Sequence, residues 1–339
     1  MKKTNLFLLS LLAFGMLFNA CSTKVDLYAD YKDITVVYGL LDSDKDTNYV
    51  KINKAFLGPG NALDIALIAD SSNYPFKLDS RIIEYRANVG SNNYQFTREM
   101  VLDTLTIHNK QQDGFFYAPD QLVYFTDEKI YCNTDQYKYR YELKIDRGDT
   151  ILDAMTDMVG GYGFNITTSR IGFAGDNGSP VKFYPCPNAS IYEVILKFRF
   201  TEVGQLHDSV VRCMSWSLGT FSEAELYGTL ENGQYIVTHK SAQFYSELAD
   251  FLGKDTTNPN VNRYVRDYAV GISIAAGGEE LYNFISVNGP SSSIVQSIPE
   301  YSNIKGGYGV FSSRTMIEKW VNFNSIQLLI AKGWRFKQG

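Results

Sequence analysis

"YEVILKFRFTE", residues 192–202, alternates in character from one residue to the next. Tyr192, Val194, Leu196, Phe198 and Phe200 fall on one side of an extended chain, while Glu193, Lys197 and Arg199 fall on the other. A period of two marks a strand with one face buried. "YKYRYELKI" (137–145) has the same design. It sets Tyr137, Tyr139, Tyr141, Leu143 and Ile145 against Lys138, Arg140, Glu142 and Lys144. "ITVVYGLL" (34–41) and "YAVGISIA" (268–275) are further strands of this kind. Asp113-Gly114, Asn177-Gly178, Asn232-Gly233 and Asn288-Gly289 supply turn dipeptides.

Composition points the same way. The chain has 24 Tyr and 21 Phe against 3 Trp, and aromatic residues of the first two kinds favour strands. Long helical patterns do not alternate with the strands, which excludes a doubly wound parallel sheet. The expected fold is mainly β: two β-sandwich-like domains built of antiparallel strands, in the manner of immunoglobulin domains. The first spans 33–155 and the second 188–339. The stretch 156–187, rich in Gly, Pro and Asn, is expected to connect them. Two short helices are expected on the second domain. "SAQFYSELADFL" (241–252) carries Phe244, Leu248, Phe251 and Leu252 at helical spacing, with Ser241 to cap it and Gly253 to stop it. "SRTMIEKWVNF" (313–323) is the other.

The chain opens Met1-Lys2-Lys3 and continues with an uncharged, mostly apolar run from Leu6 to Phe18. A bilayer span needs about 20 residues, and this run is shorter. A basic start, a short apolar core and then small residues read as a secretory signal. Leu17-Phe18-Asn19-Ala20-Cys21 resembles the lipobox of bacterial lipoproteins, with Phe18 where leucine is usual. The resemblance implies that residues 1–20 are a lipoprotein signal peptide, that Cys21 is acylated and becomes the first residue, and that 21–32 is a tether. Acyl chains such as palmitate then supply the membrane hold, each buried methylene contributing about 0.8 kcal/mol. The expected address is the outer membrane, and no later segment is apolar enough to span.

A net charge of −5 excludes the basic face that a nucleic-acid binder needs. With Cys21 given to lipid, Cys132, Cys186 and Cys213 remain. The envelope permits disulfides, and Cys132–Cys186 is a candidate bridge, with free thiols the alternative. Cys213, within the strand-like "VVRCMSW", reads as a buried thiol.

Few residues carry chemistry. In "LLDSDKDTNYVKI" (40–52), Asp42, Asp44 and Asp46 alternate like the start of an EF-hand loop. Thr47 stands where that loop needs glycine and Asn53 where it needs a bidentate glutamate. A polar hairpin is therefore the favoured reading and a surface calcium site the weaker one. "GGYG" at 160–163 and 306–309 lacks the Gly-Lys-Ser/Thr of a phosphate loop and reads as tight turns. The three histidines, His108, His207 and His239, show no metal-ligand spacing. "LHDSV" (206–210) lines up Ser, His and Asp only in sequence, and no GxSxG elbow is present. Four Asp-Ser/Thr-apolar triplets would make Thr104, Thr150, Ser209 and Thr256 acceptors for envelope O-glycosylation. No motif calls for a cofactor.

"VVYGLLD" (36–42), "YVKINKAFLGPGNAL" (49–63), "FFYAPDQLVY" (115–124) and "YSNIKGGYGVFSSR" (301–314) together resemble uncharacterised Bacteroidota outer-membrane lipoproteins. Members of such families often accompany TonB-dependent transporters. The resemblance implies a non-enzymatic binding or accessory role beside such a transporter. The alternatives are a glycan- or peptide-degrading hydrolase using paired carboxylates and a structural, adhesin-like component.

Overall fold

The computed structural model describes residues 32–57, 62–108, 120–206, 208–288 and 300–339. Residues 1–31, on which the expected signal peptide, Cys21 and most of the expected tether fall, and His207 of the Ser-His-Asp alignment lie outside the described residues.

The first part of the chain gives β1 (Lys32–Asp42), β2 (Asn48–Leu57), the short helices α1 (Ala62–Ala66) and α2 (Ala69–Ser72), β3 (Asp79–Asn88), β4 (Gln95–Val101), β5 (Asp103–His108), β6 (Asp120–Thr126), β7 (Tyr137–Asp146) and β8 (Ile151–Asp157). The stretch expected to connect domains holds only β9 (Arg170–Ile171) and β10 (Val181–Phe183). Then follow β11 (Ile191–Val203), β12 (Ser209–Ser222), α3 (Glu223–Tyr227), β13 (Tyr235–Val237), α4 (Ser241–Leu252), β14 (Asn262–Val265), β15 (Val270–Gly277), α5 (Glu279–Asn288), β16 (Tyr308–Phe323), α6 (Ile326–Ala331) and β17 (Phe336–Gln338).

The molecule is mainly β, and the alternating stretches behave as their spacing requires. On β11, Tyr192, Val194, Leu196, Phe198 and Phe200 are all buried in one hydrophobic core. On β7, Tyr139, Tyr141, Leu143 and Ile145 are buried in a second core, with Tyr137 packed against it. The cores meet in sequence at Met158 and Val159, which belong to the first-half and second-half cores respectively. A four-stranded antiparallel sheet, β4-β3-β7-β8, contributes Ile82, Tyr141 and Leu152 to the first-half core, and β1, β2 and β6 contribute Val37, Ile52 and Tyr124.

One large sheet runs through both halves in the order β17-β14-β11-β15-β16-β1-β2-β6-β5, with β12 on the far side of β11 and β9 beside β16. The antiparallel expectation is corrected at its centre, where β1 and β16 pair in parallel over Val36↔Tyr308 to Asp42↔Arg314. Strand spacing reveals which face is buried but not the direction of the neighbour. Gly309 makes the close approach possible: its φ is 113° and a Cβ there would lie 1.9 Å from the Val37 carbonyl oxygen.

The stretch 313–323 is corrected from helix to the second half of β16. Thr315 and Val321 turn inward while Arg314, Met316, Glu318 and Asn322 stay exposed, a period of two that β15 pairs along Val270↔Val321 to Gly277↔Arg314. The other expected helix is α4, with Phe244, Leu248 and Leu252 buried and Gly253 at its end with φ 54°. Lys240, not Ser241, occupies the N-cap.

Residues 156–187 do more than connect. Val159, Ile166, Ile171, Phe173, Val181 and Phe183 are buried in the second-half core. Phe173 stacks on Phe244 of α4 at 3.9 Å between ring centroids and 7° between planes.

Candidate functional site

The outer face of the β1–β16 pair carries a groove. Tyr38, Leu40 and Asp42 on β1 stand beside Val310, Ser312 and Arg314 on β16, as the register dictates. Tyr49 on β2 extends this floor. α5 forms the opposite wall with Leu281, Phe284 and Ile285. None of the described side chains of α5 is buried, although it carries Leu281, Tyr282, Phe284, Ile285 and Val287. Phe284 meets Tyr38 edge-on, 6.0 Å between centroids at 79°. The cavity measures about 600 Å³, within the range of small-molecule sites.

Three of the four stretches that carried the resemblance contribute residues to the groove, and the fourth, 115–124, contributes none of its described residues. "VVYGLLD" supplies β1, "YVKIN" begins within β2, and "YGVFSSR" opens β16.

One end of the groove is polar. Asp42 is buried, and its Oδ1 accepts from the Asp44 backbone N–H at 3.0 Å. Its Oδ2 lies 3.5 Å from Arg314 Nε. Asn48 clamps the Asp42 backbone, accepting from its N–H at 2.7 Å and donating to its carbonyl at 3.2 Å. Thr315 Oγ1 donates to Asp44 Oδ2 at 3.2 Å. Asp46 is exposed. These bonds involve two of the three calcium candidates. Asp42 and Asp44 are spent on Arg314, Thr315 and a loop amide, and no group of three His, Cys, Asp or Glu suited to a metal exists among the described residues. The stretch is the polar hairpin between β1 and β2. Lys45 and Thr47 from the same hairpin also line the groove.

α5 is held at its beginning. The Gly278 N–H donates to the Ser313 carbonyl at 3.0 Å. Glu280 Oε2 accepts from Thr156 Oγ1 and Ser312 Oγ, both at 3.1 Å. Burial raises the Glu280 carboxyl above its ordinary value, against the pull of those hydroxyls, and Asp157 adds to the rise. Asp157 is itself gripped by Arg140 at 2.7 and 2.9 Å and receives Tyr94 Oη at 3.2 Å. Burial and that carboxylate push Tyr94 up to about 12. Glu280 and Asp157 are two acids that act on one another electrostatically. Their bonds tie α5 to β8 and β16, and neither lines the groove.

The remaining expected residues are scattered. Cys132, Cys186 and Cys213 are free thiols. The Cys132–Cys186 bridge is absent. Cys132 Sγ donates to the Val159 carbonyl at 3.6 Å, while Cys186 Sγ donates to the Pro187 carbonyl at 3.8 Å. Burial raises both thiols. Cys213 is exposed, not buried, because it faces away from Met214 and Trp216 on β12. Thr104 is partly exposed on β5, Thr150 and Ser209 are exposed, and Thr256 is partly exposed. His108 is exposed and bonds Asp120 at 2.8 Å; His239 is buried and bonds the Ser179 carbonyl at 2.8 Å. Both "GGYG" stretches make close approaches, the first in a turn and the second in a turn that leads into β16. A Cβ on Gly161 would lie 2.0 Å from the Asn133 carbonyl oxygen, as one on Gly309 would crowd Val37.

No protein-family model matches the chain, and no curated protein matches it.

Proposed function

We propose that this chain is a lipid-anchored outer-membrane lipoprotein that works by binding, without catalysis, beside a TonB-dependent transporter. Its lipobox-like Leu17–Cys21 supports the anchor. The groove between α5 and the β1–β16 pair carries the binding reading. An exposed apolar cleft with a few convergent polar groups at one end is what a ligand or partner site requires. Attachment through acylated Cys21 would raise the effective concentration of the groove near a membrane-embedded partner, so that modest affinity suffices.

The test uses native-host membranes. Wild-type chain should sediment with the outer membrane, and Cys21→Ser should appear in the soluble fraction. Crosslinking followed by affinity isolation should recover a β-barrel transporter with the wild type, and much less with Phe284→Asp. Unchanged sedimentation of Cys21→Ser would remove the anchor. Equal recovery with and without the groove substitution would remove the groove from the interaction.

A further inference from the structure

The large sheet ends at β12 with an edge that no described strand covers. β12 pairs with β11 from Ser209↔Val203 to Ser222↔Ile191, and among the described residues no strand pairs with its other side. We propose that this edge pairs antiparallel with the β12 edge of a second copy of this chain, about a two-fold axis at Cys213, so that the large sheet continues across a dimer.

The backbone creates the demand. Every second residue of an antiparallel strand turns its N–H and C=O away from the neighbour it already has. From Ser209 to Ser217 the pairing with β11 is regular, which gives roughly 30 Å of extended chain. A register shift at Val194/Ile195, opposite Leu218, and Gly219 at φ 137° end that run.

Exposed edges are normally guarded by charge, by proline or by cover. The other long edges follow this rule. β4 carries Arg98 and Glu99, β5 begins at Asp103 and ends at His108, and Lys305 bridges the β8 edge at Asp153. Between Ser209 and Ser217 there is no proline, and Arg212 is the only charge. Its guanidinium is held by Glu202 at 2.9 Å and lies over the Phe251 ring. The exposed side chains are Ser209, Val210, Val211, Cys213, Ser215 and Ser217, all uncharged.

Symmetry makes this strand its own complement. A two-fold at Cys213, the midpoint of the regular run, sets Val211 against Ser215 and Ser209 against Ser217 on the face that Cys213 shares. On the other face Arg212 meets Met214 and Val210 meets Trp216. Each contact occurs twice, as an isologous interface requires. No charge on β12 meets a like charge. Arg199 stands beside Cys213 on β11, and the two copies of it would be three strand spacings apart, about 14 Å, beyond the screening length at physiological salt. In strand addition the backbone supplies affinity and side chains supply specificity. This edge has no free charge to select a foreign strand, and a copy of itself meets no repulsion. Edge pairing alone buries less than a standard interface, so the dimer should dissociate on dilution.

Sedimentation velocity tests the full chain carrying Cys21→Ser from low micromolar to near-millimolar concentration. It should pass reversibly from monomer to dimer. Cys213→Lys, at an exposed side chain, would set two ammonium groups face to face and should weaken the dimer about tenfold while the thermal melt stays cooperative. Mixing Cys213→Lys with Cys213→Asp should restore association. With oxidised glutathione, two Cys213 thiols lose two protons and two electrons to form one disulfide between chains, and one glutathione disulfide is reduced to two thiols. That covalent dimer should vanish in Cys213→Ser. Val211→Cys and Ser215→Cys, each combined with Cys213→Ser, should crosslink when mixed and not alone. A monomer at every concentration, or a dimer that Cys213→Lys leaves intact, would overturn the proposal. Crosslinking of the Val211→Cys or Ser215→Cys chain with itself would overturn the two-fold at Cys213.

Discussion

Replacing Phe173 with alanine tests whether the Gly- and Pro-rich middle of the chain is a connection or a structural core. Phe173 is 1% exposed. Its ring stacks on Phe244 at 3.9 Å and stands 5.1 Å from His239, 5.9 Å from Trp216 and 6.1 Å from Phe323. It thus joins loop, helix α4 and strands β12 and β16. Truncating a buried phenylalanine to alanine costs about 3–5 kcal/mol. A ring with four ring neighbours belongs at the top of that range, since each good aromatic pair adds about 0.5–1.5 kcal/mol beyond its area. The expected loss is about 4–5 kcal/mol, a large share of the ~5–15 kcal/mol that holds a domain folded. Urea unfolding followed by tryptophan fluorescence reads it directly, because Trp216 lies in the same core. The midpoint should fall with little change in slope. Phe173→Leu, which keeps much of the volume, should cost about 1–2 kcal/mol. A loss below about 1 kcal/mol for Phe173→Ala would refute the reasoning and return 156–187 to the status of a linker.

Gly309→Ala should cost more than about 3 kcal/mol, measured as soluble yield and melting temperature, because strain at φ 113° adds to a clash with the Val37 carbonyl. Gly90→Ala, at φ 85° with open space around it, should cost only about 1 kcal/mol. The Glu280 carboxyl, raised above 4.5 by burial, holds its proton to higher pH in the folded than in the unfolded chain. Folding stability should therefore fall as pH rises from 4.5 through the raised value. Glu280→Gln, which still accepts from Thr156 and Ser312, should be more stable than wild type at pH 7–8 and converge with it towards pH 4. Thiol titration of Cys21→Ser should find Cys213 alone reacting quickly in the folded state and all three remaining cysteines reacting in urea. A single reactive thiol in both conditions would establish the Cys132–Cys186 bridge.

What was legible in the sequence follows from how far each signal reaches. Alternation is local, so Tyr192 to Phe200 and Tyr139 to Ile145 declared their buried faces without knowledge of any partner. Helix α4 was legible because Phe244, Leu248 and Leu252 repeat within three turns and Gly253 ends the run. "SRTMIEKWVNF" misled because Met316, Ile317, Trp320 and Val321 also satisfy a helical spacing. The choice was made by strands β15 and β1, which lie about forty and nearly three hundred residues away. The groove was illegible for the same reason. Tyr38 and Val310 become neighbours only through a parallel pairing that no local pattern encodes. α5 offered a weaker cue: Glu279 and Glu280 in a first turn just after Gly277-Gly278.

The same long-range pairing explains why a groove lies at the centre of a sheet among the described residues. A sheet's outer face is normally closed by polar side chains or by a well-packed helix. Here the helix that covers β1 and β16 is held chiefly by polar bonds at its start, through Glu280 and Gly278, while none of its described side chains is buried. A helix stabilised by apolar packing would have filled the groove with Leu281, Phe284 and Ile285 and buried them. Polar bonding to β8 and β16 instead fixes the position of α5 and leaves its apolar side chains partly exposed above Tyr38 and Leu40. Elements with few buried apolar contacts open at low free-energy cost. α5 is therefore both the wall of the cleft and the part of it best able to adjust to what enters. The anchoring end stays put because Glu280 and Asp157 form a junction between two sheets. Glu280, bonded to Thr156 and Ser312, thus holds the groove's wall in place.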